Sequence, residues 1–325
     1  MDSHLLQEIE IKNFKCFDNF KASGFKRVNL IGGKNNVGKT ALMEACFINV
    51  HAQDIKKFTG ALVDIKRMRE TLNRLMAFIQ DKNKSISVQT YLEKNNHFFS
   101  SSNINSVSYN IEDSDGIKHY IFTLNGKELK ININDFSFEI DFIREIQFID
   151  NFGLSNIEII KNYSSIQKKD AENILNRFIK NFDPSIEVFK IIDDTPQCKK
   201  NGDYLELTEF GDGVRYLVSI VSALYQCENG YLFIDEIDNG IHYTMLDQLW
   251  EIILTLAHEQ NVQVFATTHS KECIESFYQA AKQLEEKEIT YTIMTQLKSG
   301  AIDAGVYNYD LLENSMEQEH EVRGW

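Results

Sequence analysis

Gly33-Lys34-Asn35-Asn36-Val37-Gly38-Lys39-Thr40 is the stretch from which the rest of the chain can be read. It follows the pattern G-x-x-x-x-G-K-[ST], is preceded by the apolar run Val28, Leu30 and Ile31, and leads into the helix-forming Ala41-Leu42-Met43-Glu44-Ala45. Strand, glycine-rich loop and helix form the context in which this pattern means a phosphate-binding loop. The glycines let the backbone wrap a pyrophosphate, so that successive N–H groups and the positive end of the helix face its charge. Lys39 is expected to reach the β- and γ-phosphates and Thr40 to place its hydroxyl on Mg2+.

The 325 residues are enough for one large domain or two smaller ones, and 43% hydrophobic residues can supply a buried core. No apolar run approaches the roughly 18 residues of a membrane span, and Met1-Asp2-Ser3-His4 lacks the basic and apolar regions of a signal peptide. Cys16, Cys46, Cys198, Cys227 and Cys273 form no C-x-x-C pair. Reduced thiols and a cytoplasmic location are therefore expected, with no disulfide or zinc framework. The net charge of −14 argues against coating nucleic acid by bulk electrostatics. Residues 1–100 nevertheless carry 16 lysines and arginines against 10 acidic residues, so an anionic partner other than ATP would meet the N-terminal part.

Along the chain, Ile9, Ile11, Phe14, Phe17 and Phe20 suggest a strand or hairpin feeding the phosphate loop. From Asp54 to Lys82, apolar residues recur at helical spacing, with Lys56, Lys57, Lys66, Arg67, Arg69 and Arg74 among them. Those cations suit either a solvated helix face or contact with a nucleic-acid backbone or acidic partner. Residues 86–150 alternate like strands around the turn signals Asp113-Ser114-Asp115-Gly116 and Asn125-Gly126, which predicts an antiparallel sheet. One helix is expected over Ser164–Asn181, and strands over Ile186–Ile192 and Tyr204–Leu207. Beyond position 269, one or two helices around Ile274–Leu284, a strand at Ile289–Met294 and an acidic tail are expected.

Three further stretches point to the same chemistry. Tyr231-Leu232-Phe233-Ile234 ends in Asp235-Glu236, as a buried parallel strand delivers carboxylates to a sheet's C-terminal edge. Asp235 is expected to hold the Mg2+ water shell, and Glu236 to act as the general base on the attacking water. Gln263–Thr268 is a second short strand ending at His269, which would lie beside Asp235 if both strands join one parallel sheet. Gly211-Asp212-Gly213, ahead of Leu217, Val218, Val221 and Leu224 at helical spacing, is a second anion-binding turn. One nucleotide does not need two such turns from one subunit, so a dimer in which each copy lends a turn to the other is expected.

On these residues the chain resembles the ABC-type ATPases of the SMC, RecF and OLD group, in particular the small stand-alone bacterial AAA family ATPases that share their head. The resemblance rests on Ile11–Phe17, Gly33–Thr40, Gly211–Gly213, Asp235–His242 and Ala266–Ser270. It implies an α/β P-loop NTPase fold, a two-lobed head with a mixed sheet, an antiparallel β subdomain and a helical insertion. Residues 1–325 would be one such domain, with an insertion over 53–163. Lys39 and Thr40 would be the Walker A residues, Asp235 the Walker B aspartate, Glu236 the catalytic glutamate, Asn239–His242 the D-loop and His269 the switch histidine. Gly211, Asp212 and Gly213 would be the signature turn, although the serine of L-S-G-G-Q is missing and Gly211 or Thr208 stands nearest its place. Gln147 is the candidate Q-loop glutamine.

The mechanism implied is a homodimer, or a higher oligomer, closed around Mg2+ and ATP and released by slow hydrolysis. By analogy with related stand-alone ATPases, such a switch would regulate a separately encoded effector in anti-phage defence. The alternative is a RecF-like repair ATPase that closes on DNA, with DNA or RNA left open as a ligand. A membrane-transporter subunit is disfavoured by the β-rich segment and by the signature.

Overall fold

A computed structural model describes residues 4–54, 97–100, 106–114, 117–132 and 143–318, with 56–58, 60–62 and 65 in addition. Val28–Gly33 (β3) is buried at every position, as a strand covered on both faces must be. The same holds for Tyr231–Ile234 (β12) and Gln263–Thr267 (β13). These strands run parallel within a six-stranded sheet of order β15-β14-β3-β13-β12-β8, completed by Ile146–Ile149 (β8), Ile289–Gln296 (β14) and Ile302–Asn308 (β15). Only β15 is antiparallel to its neighbour.

Alternation along the strands sorts side chains into two cores. Leu30, Leu232, Ile234, Val264 and Ala266 face a layer that includes helices Asn156–Gln167 (α2), Asp212–Gln226 (α4), Leu246–Glu259 (α5) and Lys271–Gln283 (α6). Ile31, Phe233 and Phe265 face the opposite way, toward Lys39–His51 (α1). Helix α1 is buried from Ala41 to His51, because a second sheet covers its other side. That sheet is antiparallel, of order β2-β1-β4-β5-β6-β7. It consists of Glu8–Phe14 (β1), Phe17–Ser23 (β2), His97–Ser100 (β4), Ser106–Ser114 (β5), Ile117–Leu124 (β6) and Lys127–Asn132 (β7). Asn125 and Gly126, both at positive φ, form the turn between β6 and β7 that their sequence signals. A three-stranded sheet of Val188–Ile192 (β9), Thr195–Lys200 (β10) and Asp203–Glu206 (β11) lies beside α2 and Glu172–Phe182 (α3). Tyr309–Glu317 (α7) follows β15.

Several expectations change. The β1–β2 hairpin belongs to the antiparallel sheet, and β3 alone leads into the Gly33–Thr40 loop. The single helix expected over Ser164–Asn181 is two, α2 and α3, separated at Lys168–Ala171 with Asp170 at φ 52°. Helix α2 begins earlier than expected because Ser155 and Glu158 form a capping box. Strand β10 lies between the two expected strands and pairs with both β9 and β11, although it carries Pro196 near its start. Strand β15 was unforeseen. Of the amphipathic stretch Asp54–Lys82, Phe58, Ala61, Leu62 and Ile65 are buried at helical spacing, and nearly all of the remainder lies outside the described residues. Asp115-Gly116 and the acidic end from 319 onward also lie outside them. Among the described residues no helix is long and apolar enough to cross a membrane.

Candidate functional site

Because β3, β8, β12 and β13 are parallel, their C-terminal ends share one edge, where open α/β sheets place their ligands. At the end of β3 the chain passes through Gly33 at φ 137°, Asn36 at 63° and Gly38 at 90°. Such reversals of backbone hand turn neighbouring N–H groups toward a common centre. The two glycines are sterically required as well. A side chain on Gly33 would put its Cβ 2.5 Å from the Met294 carbonyl, and one on Gly38 would put it 2.6 Å from Cys16 Sγ. Lys34, Asn35 and Asn36 are exposed, whereas Val37 is buried and pins the loop from below. Helix α1 starts at Gly38 with no side-chain cap, so its first N–H groups have no side-chain acceptor there.

Lys39 folds back over this loop and donates to the Gly33 and Lys34 carbonyls, each at 2.9 Å. Burial lowers its pKa, an effect opposed by Asp235, Glu236 and Asp238 nearby. Thr40, one residue on, donates to Asp235 Oδ1 at 3.1 Å across 195 positions of sequence. The same oxygen accepts from Thr267 Oγ1 at 2.7 Å. The donor set is therefore a carboxylate and two hydroxyls, hard oxygen ligands of the kind Mg2+ takes while keeping several of its waters. Glu236 follows with its N–H donating to Thr267 Oγ1 at 2.8 Å. Asp238 accepts from Thr268 Oγ1 at 2.7 Å, which ties the Asp238–Gly240 segment to the end of β13.

The structure thus brings Lys39, Thr40, Asp235 and Glu236 to one place. His269 lies on the same edge, two residues beyond β13, and is exposed. Among the described residues no hydrogen bond joins it to Asp235 or Glu236. Gly211, Asp212 and Gly213 open α4, with Gly211 as an uncapped N-cap. A Cβ on Gly211 would meet open space, whereas one on Gly213 would come 3.0 Å from the Gly240 carbonyl. The turn therefore presents one side outward and packs its other side on the Asn239–His242 segment of its own chain.

Gln147 does not stand where its expected role requires. It lies inside β8, and its amide exchanges two hydrogen bonds with Asn162, at 2.9 and 2.8 Å. The strand end carries Asp150 and Asn151 instead, and the Asn151 carbonyl accepts from Asn239 Nδ2 at 2.8 Å. Thr267 is a site residue that spacing alone did not single out. Its only signal was its position at the end of a strand parallel to the Asp235 strand.

Residues 132–274 match the family of AAA ATPase domains, a span that begins beyond the phosphate loop and includes α4, Asp235 and His269. The chain is similar to an ATP/GTP phosphatase of Helicobacter pylori, 25% identical over 371 residues, covering 98% of this chain and 100% of that one. A shorter stretch of 89 residues is 29% identical to the DNA replication and repair protein RecF of Bacillus cytotoxicus, covering 27% of this chain and 23% of that one. Among solved structures, an SmcHead bound to the C-winged helix domain of ScpA superposes with a TM-score of 0.54 at 11% identity, over 94% of this chain and 98% of that one. An Smc head with an extended coiled coil, bound to the C-terminal domain of ScpA derived from Pyrococcus furiosus, gives 0.53 at 9% identity, over 97% and 99%. At such identities the likeness is one of fold.

Proposed function

We propose that this chain is an ABC-type ATPase head like that of the SMC and RecF proteins, a nucleotide switch that binds ATP, dimerises around it and hydrolyses it slowly; its match to AAA ATPase domains and its likeness to an ATP/GTP phosphatase and to SMC heads support the reading. The observation that carries the reading is the meeting of Thr40 and Asp235 on one carboxylate oxygen beside the Lys39 loop. The loop N–H groups and Lys39 hold the β- and γ-phosphates. Thr40 and Asp235 would hold Mg2+, which supplies charge neutralisation on the phosphate oxygens when bound. Glu236 orients the attacking water and takes its proton, and His269 reaches the γ-phosphate or that water once nucleotide is in place. Gly211, Asp212 and Gly213 of a second copy cover the phosphate from the other side. In this reading residues 1–325 act as one head domain, with 53–163 inserted into it.

The output of such a switch is a shape change, supplied by differential binding of ATP to the closed dimer. A separately encoded effector, in a cytoplasmic anti-phage system, fits a head that brings no second catalytic centre among its described residues. The excess of basic residues over 1–100 favours a second reading, a RecF-like ATPase that closes on DNA. Lys39→Ala is expected to abolish nucleotide binding in a fluorescent-ATP titration. Glu236→Gln is expected to bind ATP normally, lose about 10²-fold or more in turnover and accumulate as an ATP-bound dimer on size exclusion. Normal turnover in Glu236→Gln would sink the assignment of the base. Duplex DNA that raises turnover several-fold would decide for the RecF-like reading, and co-purification of a second protein without that stimulation for the effector.

A further inference from the structure

Glu236 sits at φ 51°, a left-handed conformation that is strained for a residue with a Cβ and persists only where the surroundings enforce it. The peptide between Asp235 and Glu236 is held from both sides. Its N–H donates to Thr267 Oγ1 at 2.8 Å, and its carbonyl accepts from the Tyr216 hydroxyl at 2.9 Å. Thr267 in turn donates to Asp235 Oδ1. Tyr216 is buried, and burial, together with the charges of Asp235, Asp150, Asp238 and Glu236, pushes its phenol well above the usual range. It therefore stays a neutral donor.

Tyr216 rides on α4, in the turn of helix that follows Gly211–Gly213. The same face of α4 clasps the loop beyond β8. Arg215 donates to the Leu154 carbonyl at 2.6 Å and to Asn156 Oδ1 at 2.9 Å, while Leu154 N–H donates to Ser219 Oγ at 3.0 Å. Gly153, at φ 77°, packs closely on the same helix: a Cβ there would come 3.1 Å from Ser219 Oγ and 3.4 Å from the Tyr216 ring. Helix α4 and the 151–156 loop are thus one mechanical unit, which meets the following Asn239–Gly240 segment through Asn151 and Gly213 and reaches the Asp235–Glu236 peptide itself through the Tyr216 hydroxyl.

We propose that Tyr216 is a positioning residue: with Thr267 it fixes the Asp235–Glu236 peptide and so aims the Glu236 carboxylate, tying that aim to the helix that starts at Gly211–Gly213. The proposal rests on Glu236 being the base. A ligand that displaces the Gly211–Gly213 turn shifts the base of the same subunit, so occupancy at one site of a dimer is felt at the other.

The test is a double-mutant cycle in the full-length protein, reading single-turnover ATP hydrolysis and nucleotide affinity. Tyr216→Phe keeps the ring and removes only the hydroxyl. It is expected to slow hydrolysis about tenfold while leaving affinity within about twofold, the scale of one buried hydrogen bond. In a Glu236→Gln background the same change is expected to alter the residual rate by less than about twofold, because the group it positions is no longer a base. Thr267→Val releases the peptide from its other side; because Thr267 also donates to Asp235 Oδ1, only its hydrolysis rate is read, which is expected to fall about tenfold or more in the Glu236 background and by less than about twofold in the Glu236→Gln background, and this keeps the test open if Tyr216→Phe fails to fold. An unchanged rate in Tyr216→Phe, or the same tenfold loss in both backgrounds, would overturn the proposal. Wild-type turnover in Glu236→Gln alone would instead overturn the reading of Glu236 beneath it.

Discussion

His51, near the end of α1, shows how a single residue responds to being enclosed. Its ring is buried, Nδ1 lies 3.0 Å from the Phe47 carbonyl, and the Phe47 ring packs 4.1 Å away, centroid to centroid. Burial lowers its pKa to about 4, outweighing the hydrogen bond to Phe47, which favours the charged form. An unfolded histidine titrates near 6.5, so between these values the unfolded chain binds the extra proton. The stability contributed by neutral His51 is complete above about pH 6.5 and is lost as pH falls toward 4, by up to ~3 kcal/mol. Urea midpoints are expected to fall over this interval in the wild type and to fall less in His51→Leu. At the same scale, the Gly33–Thr40 pattern was legible because its backbone requirements act within eight residues. Thr267 was not, since its meaning depends on which strand lies beside its own.

At the scale of elements, the central sheet is held by a ladder of rings. Phe148, Phe233 and Phe265 stand in register on β8, β12 and β13, with near-parallel pairs at 6.3 and 5.3 Å between centroids. Phe233→Ala is expected to cost about 3–5 kcal/mol in a denaturant titration, through lost transfer energy and the cavity left behind. Phe152→Ala, at an exposed position, is expected to stay within about 0.5 kcal/mol. Buried parallel strands were readable as short apolar runs. The α2–α3 boundary is hidden in the sequence because helical spacing continues across the Lys168–Ala171 break, whereas the capping box at Ser155 is the stronger local signal. Gln147 differs from its expected role for a related reason: nothing in its own segment reveals that Asn162 satisfies its amide.

At the scale of the whole molecule, the outward side of the Gly211 turn and the Lys39 loop would complete one site only across two copies. Gly211→Trp can test this without disturbing the fold, since a side chain there meets open space. Alone it is expected to be inactive, as is Lys39→Ala. Mixed in equal amounts, the two variants form one intact site in each heterodimer, so about a quarter of wild-type activity per subunit is expected to return. Mixtures that stay inactive would exclude a site shared between subunits. In such a dimer activity would depend on protein concentration, which a dilution series with saturating ATP measures.

By itself the sequence determined the strand, glycine loop and helix around Gly33–Thr40, the acidic end of the Tyr231–Ile234 strand and the α/β class, because each is written in contiguous residues whose backbone geometry or burial acts locally. Tertiary structure alone decided that Thr40, Asp235 and Thr267 share one carboxylate oxygen, that Gly213 backs onto Gly240, and that Tyr216 grips the peptide before Glu236. Those contacts join residues far apart in the chain. Strand order and helix packing set them, and a one-dimensional pattern does not encode either.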